Sequence, residues 1–170
     1  MFVLNYSDLT KVIMMAKQHI YQTSILWTGN KGTGTSAYRA YERTWDMAAE
    51  GKPVIACSND PLLGGDASKY NPEDLLLAAV SSCHMLWYLH LCSDAGIVVE
   101  SYHDKPEATG EMEPSGKGKF IAATLKPTIV ISKGDVETAR SIHNEIHNFC
   151  FIARSVNFPV GIEPVIKLAA

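Results

Sequence analysis

The sequence predicts an α+β fold, with an antiparallel-rich sheet set against two helices. Three observations carry that reading. Residues 75–93 form an uncharged run of nineteen. A second segment places Ala139, Ile142, Ile146 and Phe149 on one face at helical spacing. The β-forming runs sit in blocks around these helices rather than alternating with them one for one.

In chain order, residues 19–28 are rich in β-formers (Ile20, Tyr21, Thr23, Ile25, Trp27) and read as a strand. Gly29, Gly32 and Gly34 with Asn30 supply turn chemistry, and residues 38–47 alternate again, which makes a hairpin. The glycines fit neither the dinucleotide nor the P-loop pattern, and a strand rather than a helix follows them. Residues 54–57 are a short strand, and 58–70 are a loop carrying Asp60-Pro61 and Gly64-Gly65-Asp66. Asn71 is a preferred helix cap, Pro72 suits the first turn, Glu73 and Asp74 complement the helix dipole, and Gly96 supplies a stop. Residues 97–103 and 107–112 are strands, and 120–131 is a longer β run whose Pro127 marks an edge or bulge. The second helix starts at residues 132–135 and runs to about 148. A short turn after Cys150 leads to a last strand, 162–168.

The long helix is long enough to span a bilayer, since about 20 apolar residues suffice. Against that stand Ser81, Ser82, His84 and His90 within it, acidic flanks, and no second segment of comparable hydrophobicity. It reads as the buried central helix of a soluble protein. One small sheet covers such a helix poorly, so a partner subunit is the natural cover and a homodimer is expected. The 170 residues are 46% hydrophobic and 19% charged, with a net charge of −3 and no basic tract, which gives no footprint for nucleic acid. The opening residues lack a positive n-region and a long apolar stretch, so they form no secretory signal. Met14-Met15 reads as a second start, residues 1–14 as a disordered or upstream-initiated extension, and 15–170 as one domain. A cytoplasmic location follows by default.

Four cysteines are too few and too dispersed for a secreted disulfide scaffold. Cys83 lies mid-helix among Leu76, Ala79, Val80, Leu86, Trp87 and His90, where a thiol most often packs as a small hydrophobe. Cys150 beside Phe149 and Phe151 reads the same way, and Cys57 and Cys92 read as structural. Whether any two pair depends on the fold. His143 and His147 stand one turn apart, but the zincin pattern is absent, Cys83 and His84 point to different helix faces, and no CxxC spacing occurs. No metal site is expected, and His84 and His90 read as core or interface histidines.

Two longer strings add to this. Asn71-Pro72-Glu73-Asp74-Leu75-Leu76, followed by residues 82–92 with Ser82-Cys83-His84 at their head, resembles the OsmC/Ohr family (osmotically inducible protein / organic hydroperoxide resistance), in particular its OsmC-like subgroup. Residues 150–160, opened by Cys150, resemble the same subgroup. The resemblance runs from about residue 16 to 168. It implies an OsmC/Ohr-like α+β fold with antiparallel-rich sheets around two central helices, in an intertwined homodimer with two interface sites. It also implies a thiol-dependent peroxidase that reduces organic hydroperoxides and is recycled by a dithiol reductant, with no cofactor. By motif position Cys83 is the peroxidatic cysteine, Cys150 the resolving one and Glu73 the site glutamate. For the site arginine the sequence offers Arg39, with Lys31 as another cation. The alternative is a non-catalytic ligand-binding or stress-associated dimer of the same fold. Apolar surroundings alone raise a thiol pKa, so a nearby cation is required for attack.

Overall fold

The computed structural model describes residues 18–169. The expected extension over residues 1–14 and the second start lie outside them. The chain forms two compact units, divided between Ala56 and Cys57.

In the first unit, β1 (Ser24–Trp27) pairs antiparallel with β2 (Trp45–Ala48), Trp27 opposite Trp45. The short β3 (Ile55–Cys57) completes the order β1-β2-β3 and leads into the second unit. Both hairpin strands are shorter than the sequence predicts, because local bonds capture the intervening chain. The Asn30 side chain accepts the backbone N–H groups of Gly32 and Gly34 at 2.9 and 3.0 Å, and Trp27 Nε1 donates to the Glu42 carbonyl at 3.0 Å. Gly29 lies so close to that carbonyl that a Cβ would overlap it. Side chain-to-backbone bonds of this kind compete with a strand ladder.

The second unit opens on a loop in which Asp60 caps a 3-10 turn (Pro61–Leu63) and Ser58 Oγ accepts the Asp66 N–H at 2.9 Å. The loop delivers α1 (Pro72–Asp94). The expected cap is present as a full capping box. Asp74 N–H donates to Asn71 Oδ1 at 2.7 Å, and Asn71 N–H donates back to Asp74 Oδ2 at 3.2 Å. At the other end Gly96 has φ +71°, Ile97 N–H bonds the Cys92 carbonyl at 2.9 Å and Gly96 N–H bonds that of Ser93 at 3.0 Å. That is the Schellman arrangement, which stops a helix at a left-handed glycine.

Two mixed sheets follow. In one, β4 (Val98–His103) pairs antiparallel with β7 (Thr128–Lys133), which pairs parallel with β9 (Val165–Leu168). In the other, β5 (Glu107–Met112) pairs antiparallel with β6 (Gly118–Leu125), and β8 (Val160–Ile162) adds parallel to β6. The single run expected over 120–131 therefore splits at Lys126-Pro127, and the last strand splits at Glu163-Pro164. A proline lacks the N–H a continuous ladder needs, so each chain crosses from one sheet to the other at that point. Glu163 N–H to Leu125 and Val165 N–H to Pro127, 2.8 and 2.9 Å, carry the pairing around both corners.

The second helix, α2 (Val136–Glu145), begins later than predicted because Asp135 caps it, accepting Thr138 N–H at 2.7 Å. It tightens into 3-10 turns at Ile146–Asn148 and Ala153–Ser155. The core joins Tyr88 and Cys92 of α1 to Ile129 and Ile131 of β7, Ala139 of α2, Ile146 and Cys150. Along α1 only the stripe Val80, His84, Tyr88 and Cys92 is buried, at four-residue spacing. By length and composition α1 is the one described helix able to cross a membrane. In the fold only one stripe of it is buried against the core, where the sequence reading expects a helix buried all round.

Since the cap satisfies two backbone donors at once, Asn71→Ala is expected to cost about 1 kcal/mol of stability in urea denaturation. A loss of under about 0.3 kcal/mol would show that tertiary packing alone fixes the start of α1.

Candidate functional site

Helical spacing of three and four residues organises the seam between the two helices. On α1 the buried residues recur at 80, 84, 88 and 92; on the other side they recur at 139, 143, 146, 150 and 153. Cys83 stands beside the first stripe, half-buried, and Cys150 ends α2's continuation with no exposed surface. The structure brings these two sulfurs together. Cys150 Sγ donates to Cys83 Sγ at 2.6 Å, across 67 residues of chain. Cys150 is also held from behind, where Ala153 N–H donates to its Sγ at 3.3 Å, and by its own N–H on the Ile146 carbonyl at 2.8 Å. Burial, and after it the contact with Cys83, push the Cys150 thiol up to about 11; the Ala153 N–H offsets part of this. Cys150 therefore holds its proton at neutral pH and points it at Cys83.

Beside the sulfurs, Trp87, one turn beyond Cys83, stacks on Phe149 with centroids 5.1 Å apart. Leu86 (63% exposed) and Phe151 (64%) extend this into an apolar surface at the seam. Among the described residues no basic side chain bonds to either sulfur.

Glu73 is not with them. It is exposed in the first turn of α1, ten residues before Cys83, which at 1.5 Å per residue is about 15 Å along the axis. Arg39 is exposed in a turn of the first unit, not on a strand, and has no ion pair or hydrogen bond among the described residues. Lys31 is paired with Glu42. Sequence reasoning passed over Arg43, whose guanidinium lies 4.2 Å over the Tyr38 ring and donates to the Tyr38 carbonyl at 3.2 Å.

The sequence also left unseen a pair of buried histidines. His84 Nε2 and His143 Nδ1 are 2.9 Å apart, and the rings are parallel within 3°. Tyr88 stacks on His143 at 4.2 Å. Burial drives His84 down to about 4, partly offset by Asp104, and drives His143 down to about 3, with His84 and Arg140 adding to the effect. Both rings are neutral at pH 7. The signal was legible, because His143 falls on the same stripe as Ala139 and Ile146. His147 is exposed instead, the tightened turn having carried it off the buried face. His90 is exposed too, 3.6 Å from Asp94. Among the described residues no group of three or more His, Cys, Asp or Glu could hold a metal ion.

Fold and seam together define an α+β protein with two thiols in contact at a helix junction. The chain belongs to the OsmC-like protein family, whose pattern matches residues 65–164. Among solved structures it is similar to an OsmC-like protein of unknown function from Vibrio cholerae, at 26% identity over 87% of this chain and 100% of that one, with a TM-score of 0.78. An organic hydroperoxide resistance protein OsmC from Legionella pneumophila shares the fold at 17% identity, TM-score 0.62, over 88% of this chain and 99% of that one. Another organic hydroperoxide resistance protein, from Elizabethkingia anophelis, does so at 15%, TM-score 0.61, over 90% and 100%. No curated protein matches the chain.

Two outcomes test this geometry. A His whose folded pKa is depressed takes up its proton more readily in the unfolded chain, whose imidazoles titrate near 6.5. Stability is therefore complete above that pH and is lost as pH falls from about 6.5 towards 4. Urea unfolding at pH 7 and pH 5 is expected to differ by on the order of 2 kcal/mol or more, and His84→Leu/His143→Leu is expected to flatten the slope. Iodoacetamide at pH 7 is expected to label Cys83 well ahead of Cys150, read by peptide mass spectrometry; equal labelling would contradict the burial and protonation of Cys150.

Proposed function

We propose that the protein is a thiol-dependent peroxidase that reduces organic hydroperoxides, with Cys83 as the attacking and Cys150 as the resolving cysteine. One observation carries the reading: the two sulfurs are in contact, with the more accessible one accepting from the buried, protonated one. Kinship with the organic hydroperoxide resistance proteins of the same fold supports the substrate class.

The Cys83 thiolate attacks the terminal oxygen of ROOH. The O–O bond breaks, Cys83 becomes a sulfenic acid, and the alkoxide leaves as an alcohol after taking a proton. The Cys150 thiol then condenses with the sulfenic acid, forming the disulfide and releasing water before further oxidation can occur. A dithiol reductant returns both thiols by exchange. Trp87, Phe149, Leu86 and Phe151 give the approach an apolar wall suited to an organic peroxide.

The proposed site is completed in a homodimer. The open apolar surface at Leu86, Phe149 and Phe151 needs a cover, and Glu73, about 15 Å along α1 from Cys83, serves the sulfur only if a second copy presents it. Arg39 is the cation proposed to hold Cys83 ionised, since Lys31 is engaged by Glu42 and Arg43 by Tyr38. A cytoplasmic setting, where thiol reductants abound, belongs to the same reading. The absence of any basic side chain bonded to a sulfur among the described residues favours a second reading, a non-catalytic dimer of the same fold.

Turnover of cumene hydroperoxide with a dithiol separates them. The wild type is expected to turn over, Cys83→Ser to fall to the uncatalysed rate, and Arg39→Ala to fall about 100-fold or more, the scale of losing a group that stabilises the reacting form. Wild-type turnover by Cys83→Ser would end the peroxidase reading. Leu86→Asp is expected to convert a dimer to a monomer in light scattering; a wild-type monomer would leave Glu73 without a role.

A further inference from the structure

His84 and His143 belong to the two segments that carry the sulfurs. His84 directly follows Cys83 on α1, and His143 lies on the last turn of α2, seven residues before Cys150. They are 4% and 3% exposed, and the 2.9 Å bond between them crosses the α1/α2 seam. Among the described residues the far nitrogen of His143, Nε2, has no protein partner, so this bond is the ring's one polar tie. Apart from the contact of the two thiols, the seam packs apolar groups, with a Trp87–Phe149 stack beside it. Apolar surfaces tolerate sliding, whereas a buried hydrogen bond fixes distance and direction. A disulfide closes only where sulfurs and Cβ atoms stand in a narrow geometry. Tyr88 stacks on His143, Arg140 of α2 acts on His143 and Asp104, just after β4, acts on His84, and both imidazoles are neutral at pH 7.

We propose that the His84–His143 hydrogen bond is the positioning element of the dithiol: it sets the register of Cys150 against Cys83 and so the ease with which their disulfide closes. This rests on reading Cys83 and Cys150 as a redox pair, but not on peroxide being the oxidant.

The test equilibrates the full-length protein with mixtures of oxidised and reduced dithiothreitol. The two thiols give two electrons and two protons to the cyclic disulfide, which opens to the dithiol; the Cys83–Cys150 bond is then counted by alkylation and peptide mass spectrometry. His84→Leu/His143→Leu removes both partners at similar volume, an exchange that leaves folding nearly neutral. It is expected to need about a tenfold more oxidising mixture at the midpoint, about 30 mV for a two-electron couple. His143→Asn and His84→Gln keep a polar atom where Nδ1 and Nε2 stand and are expected to stay within about threefold of wild type. If the double leucine variant does not fold, His84→Met, which keeps volume without the bond, is expected to show the tenfold shift instead. A folded leucine variant with the wild-type midpoint overturns the proposal. So do Asn and Gln variants as impaired as leucine, which would make the effect one of packing. A wild type that closes the disulfide here yet leaves tert-butyl hydroperoxide unconsumed would end the peroxidase reading and leave the positioning role standing.

Discussion

The meeting of α1 with the segment that continues α2 is the constraint from which the rest of this protein's structure takes its sense. Cys150 continues the buried stripe of Ala139, His143 and Ile146 beyond the end of α2. Flanked by 3-10 turns at Ile146–Asn148 and Ala153–Ser155, its sulfur lies against Cys83 in the middle of α1. The backbone gives that sulfur a donor from Ala153 and leaves the Cys150 carbonyl to Arg154 N–H at 3.1 Å. The two thiols thus occupy unequal environments. Burial protonates one, while the other stands half-open beside an apolar surface. On the proposed reading that inequality assigns the two roles.

The long helix serves two purposes. A single stripe of α1 seats the core, through Val80, His84, Tyr88 and Cys92, and three of those four are not aliphatic. The remaining apolar surface is too large to leave in water at no cost, since burying one Leu or Phe side chain is worth roughly 2 kcal/mol. On the proposed reading, a second copy covers that surface and brings Glu73 to the sulfur. Assembly and the proposed chemistry are then one problem, because the exposed apolar face lies beside Cys83.

Much of the second unit was legible in the sequence. Asn71, Pro72 and Gly96 set the limits of α1 through local bonds that depend only on neighbours. Strand β5 was found from its own polar–apolar alternation, which is equally local. Pro127 gave its warning, but not that the chain would turn a corner into another sheet; that outcome depends on which strands lie alongside. The hairpin of the first unit was overextended, since Asn30 and Gly29 bind the loop through contacts that alternation does not encode. For the site, periodicity alone favoured inert packing for both cysteines, and only the two long motifs set them together. Their contact crosses 67 residues and exists only after folding. The histidine bond was hidden for the same reason, although each ring sat on a readable stripe.

The most direct measurement is non-reducing peptide mapping of the reduced protein after one equivalent of tert-butyl hydroperoxide. The account predicts one Cys83–Cys150 disulfide per chain for each peroxide consumed, with Cys57 and Cys92 still reduced. Peroxide consumed without that bond, or the bond formed between other cysteines, would contradict it.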